Sequence, residues 1–574
     1  MVDVEKALSI KYPKIVYYPT VVRNALVYFL KQLLHQEEIN HFLTHGEAYR
    51  GFDFVEAVLE YFNFGYTVSN KDKTNIPSSG RVIIIANHPL GALDALALIC
   101  LIKEVRSDVK VLANDVLMQI EPLSDLLIPI DNLSGTATKE SIKRIYDVLE
   151  NDEALIIFPS GEVSRAQPTG IKDTKWKKGF LKFAQKSNSP ILPVFIDAKN
   201  SPLFYTLSMV NKKLSTFLLA REMFKKRSKV IHFKIGEMIA YKTLEKSGFS
   251  DNTTINLLKK HLYKISKGKK GIFTTQTAIA HPEERKAIRG ELKKSSLLGK
   301  TNDGKQIYLY EYEEGSILMK EIGRLREFTF RKVEEGTGYK RDVDHFDKHY
   351  KHIILWDDEE LEVVGAYRIG ESNFINPYFG TEGFYSHTLF EFMPHFEPYL
   401  HNAIELGRSF VQPRYWGTRA LDYLWQGIGA YLYQNPYIRY MYGPVSLSDV
   451  YPKIAKNLIV TFYSLYFSSQ AELVNARNRF LMSKMEKEEA AAFFSGKDYK
   501  EDFAVLKEQL SHMDLSVPTL YKQYTELCEE GGILFLDFNI DKDFSNCVDS
   551  FILVDIAKIK EAKKARYIKG ESKP

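Results

Sequence analysis

Short apolar runs and amphipathic stretches alternate through the first half of the chain. The runs typical of strands lie near residues 82–86, 110–113, 154–158 and 191–196. One stretch between them, 139–150, has the apolar spacing of a single helix face, at Ile142, Ile145, Tyr146 and Leu149. Strands that alternate with helices predict a largely parallel α/β sheet. Polar side chains that follow such strands would meet at the carboxyl edge of the sheet, where α/β proteins place their sites.

The pattern divides the chain into segments. Residues 1–60 are predicted to form a helical segment, because apolar residues recur at Val22, Ala25, Leu26, Phe29, Leu30 and Leu33. This segment either packs on the sheet or lies on a membrane surface, and the pattern leaves both open. A first α/β domain is predicted over 61–275 and a charged linker over 276–304. A second α/β domain is predicted over 305–574, with a strand-like run at 361–368 and a helical pattern at 420–432.

Composition narrows the class of protein. The 574 residues are too many for one hydrophobic core, and 45% hydrophobic with 26% charged residues is typical of a globular protein. The cysteines are odd in number and lack metal spacing, which predicts reduced thiols at Cys100, Cys528 and Cys547. The first residues show no secretory-signal pattern, and the longest apolar run is far shorter than the ~20 residues that span a bilayer. We expect a cytoplasmic protein that is not integral to a membrane.

A histidine and a carboxylate follow the first strand-like run. The turn reads Asn87-His88-Pro-Leu-Gly91-Ala-Leu-Asp94. A neutral imidazole there can take a proton from a hydroxyl, while the carboxylate fixes its tautomer and stabilises the imidazolium. The acceptor's own hydroxyl could then attack without a serine or cysteine nucleophile, which predicts direct acyl transfer. The structural alternative is that His88 ends a strand and that Asp94 caps the next helix.

Two further motifs lie at the ends of strand-like runs. The run 155–158 continues into Pro159-Ser-Gly161-Glu162-Val-Ser164-Arg165, and the run 191–196 contains a proline. With these three motifs in order, residues 60–245 resemble the PlsC-type glycerolipid acyltransferase superfamily. The chain has five residues, not four, between His88 and Asp94, and it reads F-P-S-G-E where F-P-E-G-T is usual. This spacing resembles the hemolysin-like, aminolipid-making branch of the superfamily.

The resemblance implies roles for the residues of these motifs. His88 would be the general base and Asp94 the carboxylate that orients it. Backbone amides around Gly161, together with nearby polar side chains, would hold the acceptor's carboxylate or the developing oxyanion. The substrate-binding candidates of this domain are therefore Asn87, Gly161, Glu162, Ser164 and Arg165.

A loop that contains arginine and glycine marks the second domain. The sequence Arg414-Tyr-Trp-Gly417-Thr-Arg419 opens the helical pattern at 420–432. Loop amides and the positive end of a helix dipole form a ready site for the pyrophosphate or phosphopantetheine of an acyl carrier. Arg414 and Gly417 are therefore candidates for substrate binding.

Residues 305–450 resemble the GNAT-like N-acyltransferases, in the branch shared by ornithine-lipid synthases and acyl-homoserine-lactone synthases. The residues that carry this resemblance are Arg326, Phe330, Asp344, Asp347, Arg368, Glu405 and Arg408. An α-amine, with a pKa of ~8, must lose a proton before it attacks. The resemblance implies that Glu405, or a water it holds, accepts that proton.

The ionic residues of this set have two interpretations. Arg408 and the two aspartates would orient the charged groups of an amino acid, and Arg326 with Arg368 would hold its carboxylate or the carrier phosphate. Alternatively, Arg326 and the aspartates form a structural charge network, and Glu405 with Arg408 forms a plain ion pair.

The two resemblances together match the bifunctional ornithine-lipid synthases, in both the kind and the order of domains. This implies that the second domain joins a 3-hydroxyacyl thioester to the amino group of an amino acid. The first domain would then acylate the new hydroxyl to give a diacyl aminolipid. The acyl donor would be an acyl carrier protein or coenzyme A, and no metal or redox cofactor is implied. Two alternatives stay open: a lysophospholipid O-acyltransferase with an accessory second domain, and a hemolysin-like membrane-acting protein.

Clusters of basic residues indicate which partners the protein could bind. The net charge of +5 is unevenly placed, with clusters at 225–229, 259–260, 267–270 and 563–566. Any one cluster is typical of a solvated surface. Several in a chain that handles lipid suggest docking to an anionic membrane, here the inner face of the cytoplasmic membrane, or to an acidic carrier protein. Nucleic acid is not an expected partner, because no basic helix or aromatic RNA-binding motif accompanies the clusters.

Overall fold

The chain forms two compact units, Met1–His281 and Pro282–Pro574. The computed structural model describes residues 4–5, 19–45, 48–114, 117, 120–130, 138–168, 170–210 and 212–568. The boundary falls within the segment 276–304. From Arg285 onwards this segment already forms a helix, Arg285–Leu292, and a strand, Ser296–Lys300, of the second unit.

The first unit is built on a seven-stranded sheet in the order β1-β9-β8-β2-β5-β3-β4. Neighbouring strands are parallel, except that β8 and β9 are antiparallel. The central strand β2 is buried along its whole length, as continuous apolar runs in parallel sheets are. The strands, with a separate β6–β7 hairpin, are β1 Gly65–Val68, β2 Val82–Ala86, β3 Val109–Asn114, β4 Leu127–Ile130, β5 Ala154–Ile157, β6 Arg165–Gln167, β7 Gly170–Lys172, β8 Ile191–Asp197 and β9 Val230–Ile235.

Helices cover this sheet, and the predicted α/β class is confirmed. The helices of the first unit are α1 Thr20–Leu33, α2 Gln36–His45, α3 Gly51–Tyr61, α4 Asn70–Lys73, α5 Leu93–Lys103, α6 Lys139–Glu150, α7 Gly179–Ser187, α8 Pro202–Val210, α9 Lys212–Phe224, α10 Tyr241–Lys246 and α11 Asp251–Ile265. Helix α6 has the predicted bounds, because the Thr138 side chain caps it by accepting the Ser141 N–H at 3.1 Å.

The spacing of apolar residues near the N-terminus correctly predicts that helix α1 forms. It does not predict which side of this helix is buried. Val27 and Leu30 are buried, whereas Val22 and Phe29 are 54% and 62% exposed. The apolar residues of this helix therefore cover more than one face. Among the described residues, no helix is both long and apolar enough to cross a membrane.

The second unit contains an eight-stranded sheet in the order β10-β11-β12-β13-β15-β16-β19-β18. Its pairs are antiparallel apart from β15 and β16, which run parallel over Ala403–Glu405 and Tyr440–Tyr442. Beyond these positions β15 stays paired with β13 and β16 with β19, so the two strands diverge. The strands, including a β14–β17 pair, are β10 Ser296–Lys300, β11 Gln306–Glu311, β12 Lys351–Asp357, β13 Glu362–Glu371, β14 Phe390–Phe392, β15 Ala403–Val411, β16 Tyr440–Leu447, β17 Val474–Ala476, β18 Ile533–Asp541 and β19 Cys547–Asp555.

The helices of this unit pack on the sheet and carry much of its aromatic core. They are α12 Arg285–Leu292, α13 Ile317–Lys332, α14 Ser372–Phe379, α15 Tyr385–Leu389, α16 Glu397–Leu400, α17 Ala420–Gln434, α18 Lys453–Phe467, α19 Lys484–Ala491, α20 Tyr499–Ser511, α21 Thr519–Thr525 and α22 Glu561–Tyr567. The predicted helix at 420–432 and strand at 361–368 are confirmed as α17 and β13. The aromatic run at 379–399 supplies core residues, since Phe384, Phe390 and Phe396 are fully buried.

Candidate active sites

The turn after β2 is fixed by the side chain of Asn87. Its Nδ2 donates to the Ile196 carbonyl at 2.9 Å, and its Oδ1 accepts the Ile196 N–H at 2.7 Å. This clamp joins the ends of β2 and β8, where the backbone ladder between them stops. Asn87 is buried, so in this structure it positions the start of the histidine turn.

His88 and Asp94 meet across the turn. His88 Nδ1 lies 3.1 Å from Asp94 Oδ2, and the carboxylate is fully buried. Asp94 also accepts the N–H groups of Leu90 at 2.8 Å, Gly91 at 3.1 Å and Ala95 at 3.0 Å. The carboxylate therefore holds the turn as well as the imidazole. It is not the N-cap of α5, because that position is Ala92 and has no side-chain cap.

Gly91, one of the five residues between His88 and Asp94, occupies a position where the local geometry favours glycine. Its φ is +101°, a conformation that favours glycine, and a Cβ there would lie 2.8 Å from Val163 Cγ1. The longer spacing between His88 and Asp94 is therefore accommodated in the loop before α5.

The electrostatics of the pair favour a proton on the imidazole. Burial alone would lower the pKa of His88, but the charge of Asp94 and its hydrogen bond outweigh burial and raise it. Burial would raise the pKa of Asp94, but His88 and the backbone N–H groups hold it below its usual value. Because Nδ1 is engaged by Asp94, Nε2 is the nitrogen left to exchange a proton with a substrate.

A second buried carboxylate, Asp173, supports the turn from another segment. It accepts the His88 N–H at 3.2 Å, the Ser164 hydroxyl at 2.6 Å and the Trp176 indole N–H at 2.9 Å. The Ser164 N–H donates in turn to the His88 carbonyl at 2.7 Å. Lys259, from one of the basic clusters, donates to the Asp173 carbonyl at 2.7 Å. Asp173 belongs to no motif, and no sequence signal would have found it.

The remaining candidates of the second motif lie beside this turn. Gly161 has a φ of +65° and lines the same cavity as His88. Glu162 lies 3.8 Å from Arg165, whose buried guanidinium donates to Ser215 Oγ at 2.5 Å and stands 5.2 Å from the ring of Phe204. Ser164, Glu162 and Arg165 are not among the residues that line the cavity.

His88 opens into a cavity of about 930 Å³. Its walls are mainly apolar and come from α2, α3, α5 and β3, with Phe42, Val58, Leu96 and Val111 as examples. Four exposed lysines also line it, namely Lys175, Lys177, Lys178 and Lys182. A large apolar cavity with few polar groups is typical of a small-molecule site, and this one combines apolar walls with lysine ammonium groups in the same space as His88.

In the second unit, Glu405 is buried on β15 and hydrogen-bonded at both oxygens. Oε1 accepts the Ser386 N–H at 2.6 Å and the Ser386 hydroxyl, and Oε2 accepts the Tyr350 hydroxyl. The Tyr350 oxygen also accepts the Tyr385 N–H at 3.0 Å. Burial raises the pKa of Glu405, although these donors and the charge of Arg368 oppose that rise. Glu405 thus fastens the beginning of α15 to the sheet.

Arg326, Arg368 and two aspartates form a buried ion-pair network. Arg326 donates to Asp347 Oδ1 at 2.8 Å, and Arg368 donates to Asp344 at 2.7 Å and to Asp347 at 3.3 Å. Arg326, Arg368 and Asp347 are fully buried. The pKa of Asp347 is lowered: burial would raise it, but the two guanidinium groups outweigh burial. The structure therefore brings four of the predicted residues together as a charge network.

Arg408 lies at the point where β15 departs from regular strand geometry, with a φ of +48°. Its Nε lies 3.2 Å from Asp342 Oδ2, and Nη1 donates to the Tyr385 hydroxyl at 3.2 Å. The guanidinium stands 4.5 Å from the ring centre of Tyr385 and 4.9 Å from that of Phe544. Asp342 is the closest acidic partner of Arg408, and the sequence does not indicate it. Asp344, which the sequence does indicate, lies 3.7 Å from the Arg408 guanidinium.

The remaining candidates are placed apart from this network. Phe330 is buried and packs edge-on against Phe544 at 5.0 Å. Arg414 is half-exposed and pairs with Glu362 at 2.6 Å and Glu360 at 3.3 Å. Gly417, with a φ of +76°, precedes α17 in the same loop. This loop therefore lies at the start of a 15-residue helix, as the anion-site prediction requires.

Comparison with known proteins gives the same division of the chain. A family model described as acyltransferase matches residues 8–270, and one described as acetyltransferase (GNAT) domain matches residues 325–426. The lyso-glycine lipid O-acyltransferase of Bacteroides thetaiotaomicron is 35% identical over 254 residues, which are 43% of this chain and 91% of that protein. The glycine N(alpha)-acyltransferase of the same organism is 31% identical over 308 residues, which are 50% of this chain and 89% of that protein. An L-ornithine N(alpha)-acyltransferase of Brucella abortus is 31% identical over 143 residues, which are 24% of this chain and 47% of that protein.

Proposed function

We propose that this chain makes a diacyl aminolipid in two steps, one in each unit. The first unit belongs to the acyltransferase family, and the second carries a GNAT domain. The chain is a bifunctional O- and N-acyltransferase of the aminolipid type. In the proposal, the second unit first joins a 3-hydroxyacyl group to an amino acid. The first unit then acylates the new hydroxyl. The observation that carries the proposal is the His88–Asp94 pair. His88 lines a cavity whose walls are mainly apolar and include four lysines.

For the O-acyl step, His88 Nε2 takes the proton of the acceptor hydroxyl as its oxygen attacks the thioester carbonyl. The tetrahedral intermediate then collapses, the carbon–sulfur bond breaks, and the thiolate takes the proton from His88. Asp94 keeps the imidazole in the required tautomer and stabilises its positive charge. The lysines beside the cavity bind the carboxylate that the acceptor retains, while its acyl chain occupies the apolar walls.

For the N-acyl step, the ammonium of the amino acid loses a proton and the amine attacks the thioester carbonyl. Glu405 is the proposed base. Its carboxylate is buried and hydrogen-bonded to the hydroxyls of Tyr350 and Ser386, so a proton would reach it through one of these groups. The thioester donor is an acyl carrier protein or coenzyme A, and the Arg414 loop before α17 is proposed to receive its phosphate.

We propose ornithine as the amino acid, in line with the family resemblance and the matching ornithine N-acyltransferases. Glycine is the second candidate, because the relatives that match most of each unit are named for glycine. Both amino acids offer an ammonium and a carboxylate. The side-chain ammonium of ornithine is what distinguishes them.

We propose that the protein works on the inner face of the cytoplasmic membrane. Helix α1 exposes Val21, Tyr28 and Phe29, and α8 exposes Met209 and Val210. Apolar side chains of this kind, together with the basic clusters, suit reversible attachment to an anionic membrane surface.

The test is expression in a host that makes no aminolipid, followed by lipid extraction and mass analysis. We expect a new diacyl aminolipid from the parent chain. His88→Ala should accumulate the mono-acylated amino acid instead, because only the O-acyl site is removed. His232→Ala, which changes an exposed histidine of the same unit, serves as the matched control. A folded His88→Ala protein that loses both products, or none, contradicts the two-site proposal.

A further inference from the structure

One buried carboxylate of the first unit contacts both the histidine turn and the wall of the cavity. Asp173 directly follows β7 and is fully buried. Its Oδ1 accepts the His88 N–H at 3.2 Å and the Ser164 hydroxyl at 2.6 Å. Its Oδ2 accepts the indole N–H of Trp176 at 2.9 Å. The two oxygens of one side chain therefore bind two different parts of the site.

The contacts of Oδ1 fix the backbone of His88 at both of its polar groups. The His88 N–H donates to Asp173, and the His88 carbonyl accepts the Ser164 N–H at 2.7 Å. Ser164 donates its hydroxyl to the same carboxylate. Asp94 separately holds the imidazole at Nδ1. One carboxylate therefore orients the ring of His88, and the other holds its backbone.

The contact of Oδ2 fixes the part of the wall that carries three of the cavity lysines. Residues 175–178 all line the same cavity as His88, and all except Trp176 are lysines. We call these four residues the lysine segment. Trp176 is buried, and its indole N–H is bound to Asp173. The same carboxylate that holds the backbone of His88 therefore holds the lysine segment.

Asp173 is itself anchored at its backbone. Its N–H donates to the Tyr263 hydroxyl at 2.9 Å, and its carbonyl accepts Lys259 Nζ at 2.7 Å, both from α11. Lys259 Nζ also donates to the Thr174 carbonyl at 2.7 Å. The Gln167 side chain donates to the Asp173 carbonyl at 2.8 Å. A carboxylate supported in this way can keep the groups that bind it in fixed positions.

The contacts of Asp173 fit an ionised carboxylate. The partners of its two oxygens named above are all donors, and an ionised carboxylate has acceptors only. Burial raises the pKa of Asp173, but the donors and the charge of His88 oppose that rise. The charge of Asp173, like that of Asp94, favours an imidazolium at His88. Other titratable groups that face these residues are Tyr205 near Asp94, Lys259 and Tyr263 near Asp173, and the four lysines of the cavity.

We propose that Asp173 is the positioning residue that sets His88 against the lysine segment. It holds the proposed base through the His88 N–H and the lysine segment through Trp176. One buried carboxylate thus fixes the distance between the group that activates the acceptor hydroxyl and the groups that bind the acceptor's carboxylate. This inference rests on the proposed O-acyl function of the first unit.

The first test measures O-acylation of a supplied N-(3-hydroxyacyl) amino acid by the full chain and by Asp173→Asn. The amide oxygen can keep the contacts with His88 and Ser164, but the amide NH2 then opposes the Trp176 N–H. We expect kcat/KM to fall about a hundredfold, as misplaced catalytic groups cause. Its acid limb should move to lower pH, because His88 must be neutral to act as a base and has lost a nearby negative charge.

The matched control is Glu222→Gln. Glu222 is a buried carboxylate of the same unit that binds the Ser201 N–H at 2.7 Å, and it is not among the residues that line the cavity. Its rate and its pH profile should stay those of the parent.

A second variant separates position from stability. Trp176→Phe keeps a ring in the cavity wall and leaves Asp173 its charge and its contact with His88. We expect the KM for the acceptor to rise roughly tenfold, with kcat and the pH profile unchanged. Adding Trp176→Phe to Asp173→Asn should raise that KM no further, because both changes remove the same hydrogen bond. Effects on KM that multiply would overturn the link through Trp176.

An NMR titration of the histidine signals tests the contact without any substrate. The His88 signal, assigned with His88→Ala, should titrate at lower pH in Asp173→Asn than in the parent, and at the parental pH in Trp176→Phe. If this shift occurs in a chain that shows no O-acylation, the proposed function fails while the contact between Asp173 and His88 is confirmed. If O-acylation proceeds but folded Asp173→Asn keeps the parental kcat/KM and the parental titration of His88, the proposal is overturned. A fall in rate that only matches the loss of folded protein overturns it as well.

Discussion

Replacing Asp94 by asparagine tests the O-acyl site most directly. The amide oxygen can still accept the N–H groups of Gly91 and Ala95, which now bind Oδ1. The amide NH2 then takes the place of Oδ2 and points at His88 Nδ1 and the Leu90 N–H. Because it donates to Nδ1, it favours the tautomer with hydrogen on Nε2. That nitrogen can no longer accept a proton from the acceptor hydroxyl.

The contacts give the expected magnitude. A hydrogen bond to a charged group contributes about 1.5–3 kcal/mol, and losing it from the transition state slows the reaction roughly 10- to 150-fold. Loss of the correct tautomer removes general-base catalysis, which contributes about 10²–10⁴-fold. We therefore expect kcat for O-acylation to fall by about 10²–10⁴. The opposed donors of the amide and Leu90 should cost about 1–3 kcal/mol of stability, so folding must be checked by thermal unfolding.

The variant should also respond differently to acid. The pKa of Asp94 is lowered in the folded protein, so its contacts stabilise the fold above the ordinary carboxyl range. This contribution is lost as the pH falls through the folded-state pKa. Asp94→Asn lacks the group, and its stability should therefore fall less steeply at acid pH than that of the parent.

The assay supplies a synthetic N-(3-hydroxyacyl) amino acid and an acyl thioester, and it measures thiol release. N-acylation of free amino acid by the same preparation reports on the second unit and should not change. Asp197→Asn, at the exposed end of β8, controls for loss of one carboxylate from the first unit. If folded Asp94→Asn acylates the hydroxyl at a rate close to that of the parent, Asp94 has no part in catalysis and the reasoning is refuted.

Two further predictions concern the base and the membrane. Glu405→Gln should stop conversion of free amino acid, while supplied N-(3-hydroxyacyl) amino acid is still acylated through His88. If product analysis shows that the variant converts free amino acid at a rate close to that of the parent, Glu405 has only a structural role through Ser386 and Tyr350. Raising salt should release the chain from anionic vesicles in a sedimentation assay, because each basic residue near such a surface contributes about 1 kcal/mol and is screened by salt. Retention that only detergent reverses, and that Phe29→Glu abolishes, would instead show that the apolar face of α1 inserts.

The parts of the first unit that follow from sequence are those encoded locally. Continuous apolar runs predict β2, β5 and β8, and the His88–Asp94 pair lies within one turn. Asp173 lies 85 positions after His88 and accepts its N–H. No sequence pattern around Asp173 indicates this contact. A carboxylate that acts through backbone N–H groups leaves no spacing pattern, so its role appears only when the segments are folded together.

In the second unit, the sequence indicates which charges matter but not how they pair. Arg326, Arg368 and Asp347 carry the family resemblance, yet their contacts are to one another and they are fully buried. Glu335 accepts the Ser446 hydroxyl at 3.0 Å and lies 214 positions before Asp549, and neither carboxylate belongs to a motif. They come together because β16 and β19 pair, which places Ser446 opposite Asp549. Long-range strand pairing of this kind cannot be obtained from periodicity.

The charges at the two sites support the proposed order of the reactions. An amino acid carries an α-ammonium when it meets the second unit, and this group must lose a proton before the amine attacks. N-acylation turns this ammonium into a neutral amide. The carboxylate remains, and four lysines line the cavity beside His88 in the first unit. Those lysines repel the α-ammonium of a free amino acid, which the acylated product no longer carries, and the product also brings the hydroxyl that His88 can activate. In the proposed sequence the first unit therefore favours the product of the second over the free amino acid, and this is why we propose that N-acylation comes first.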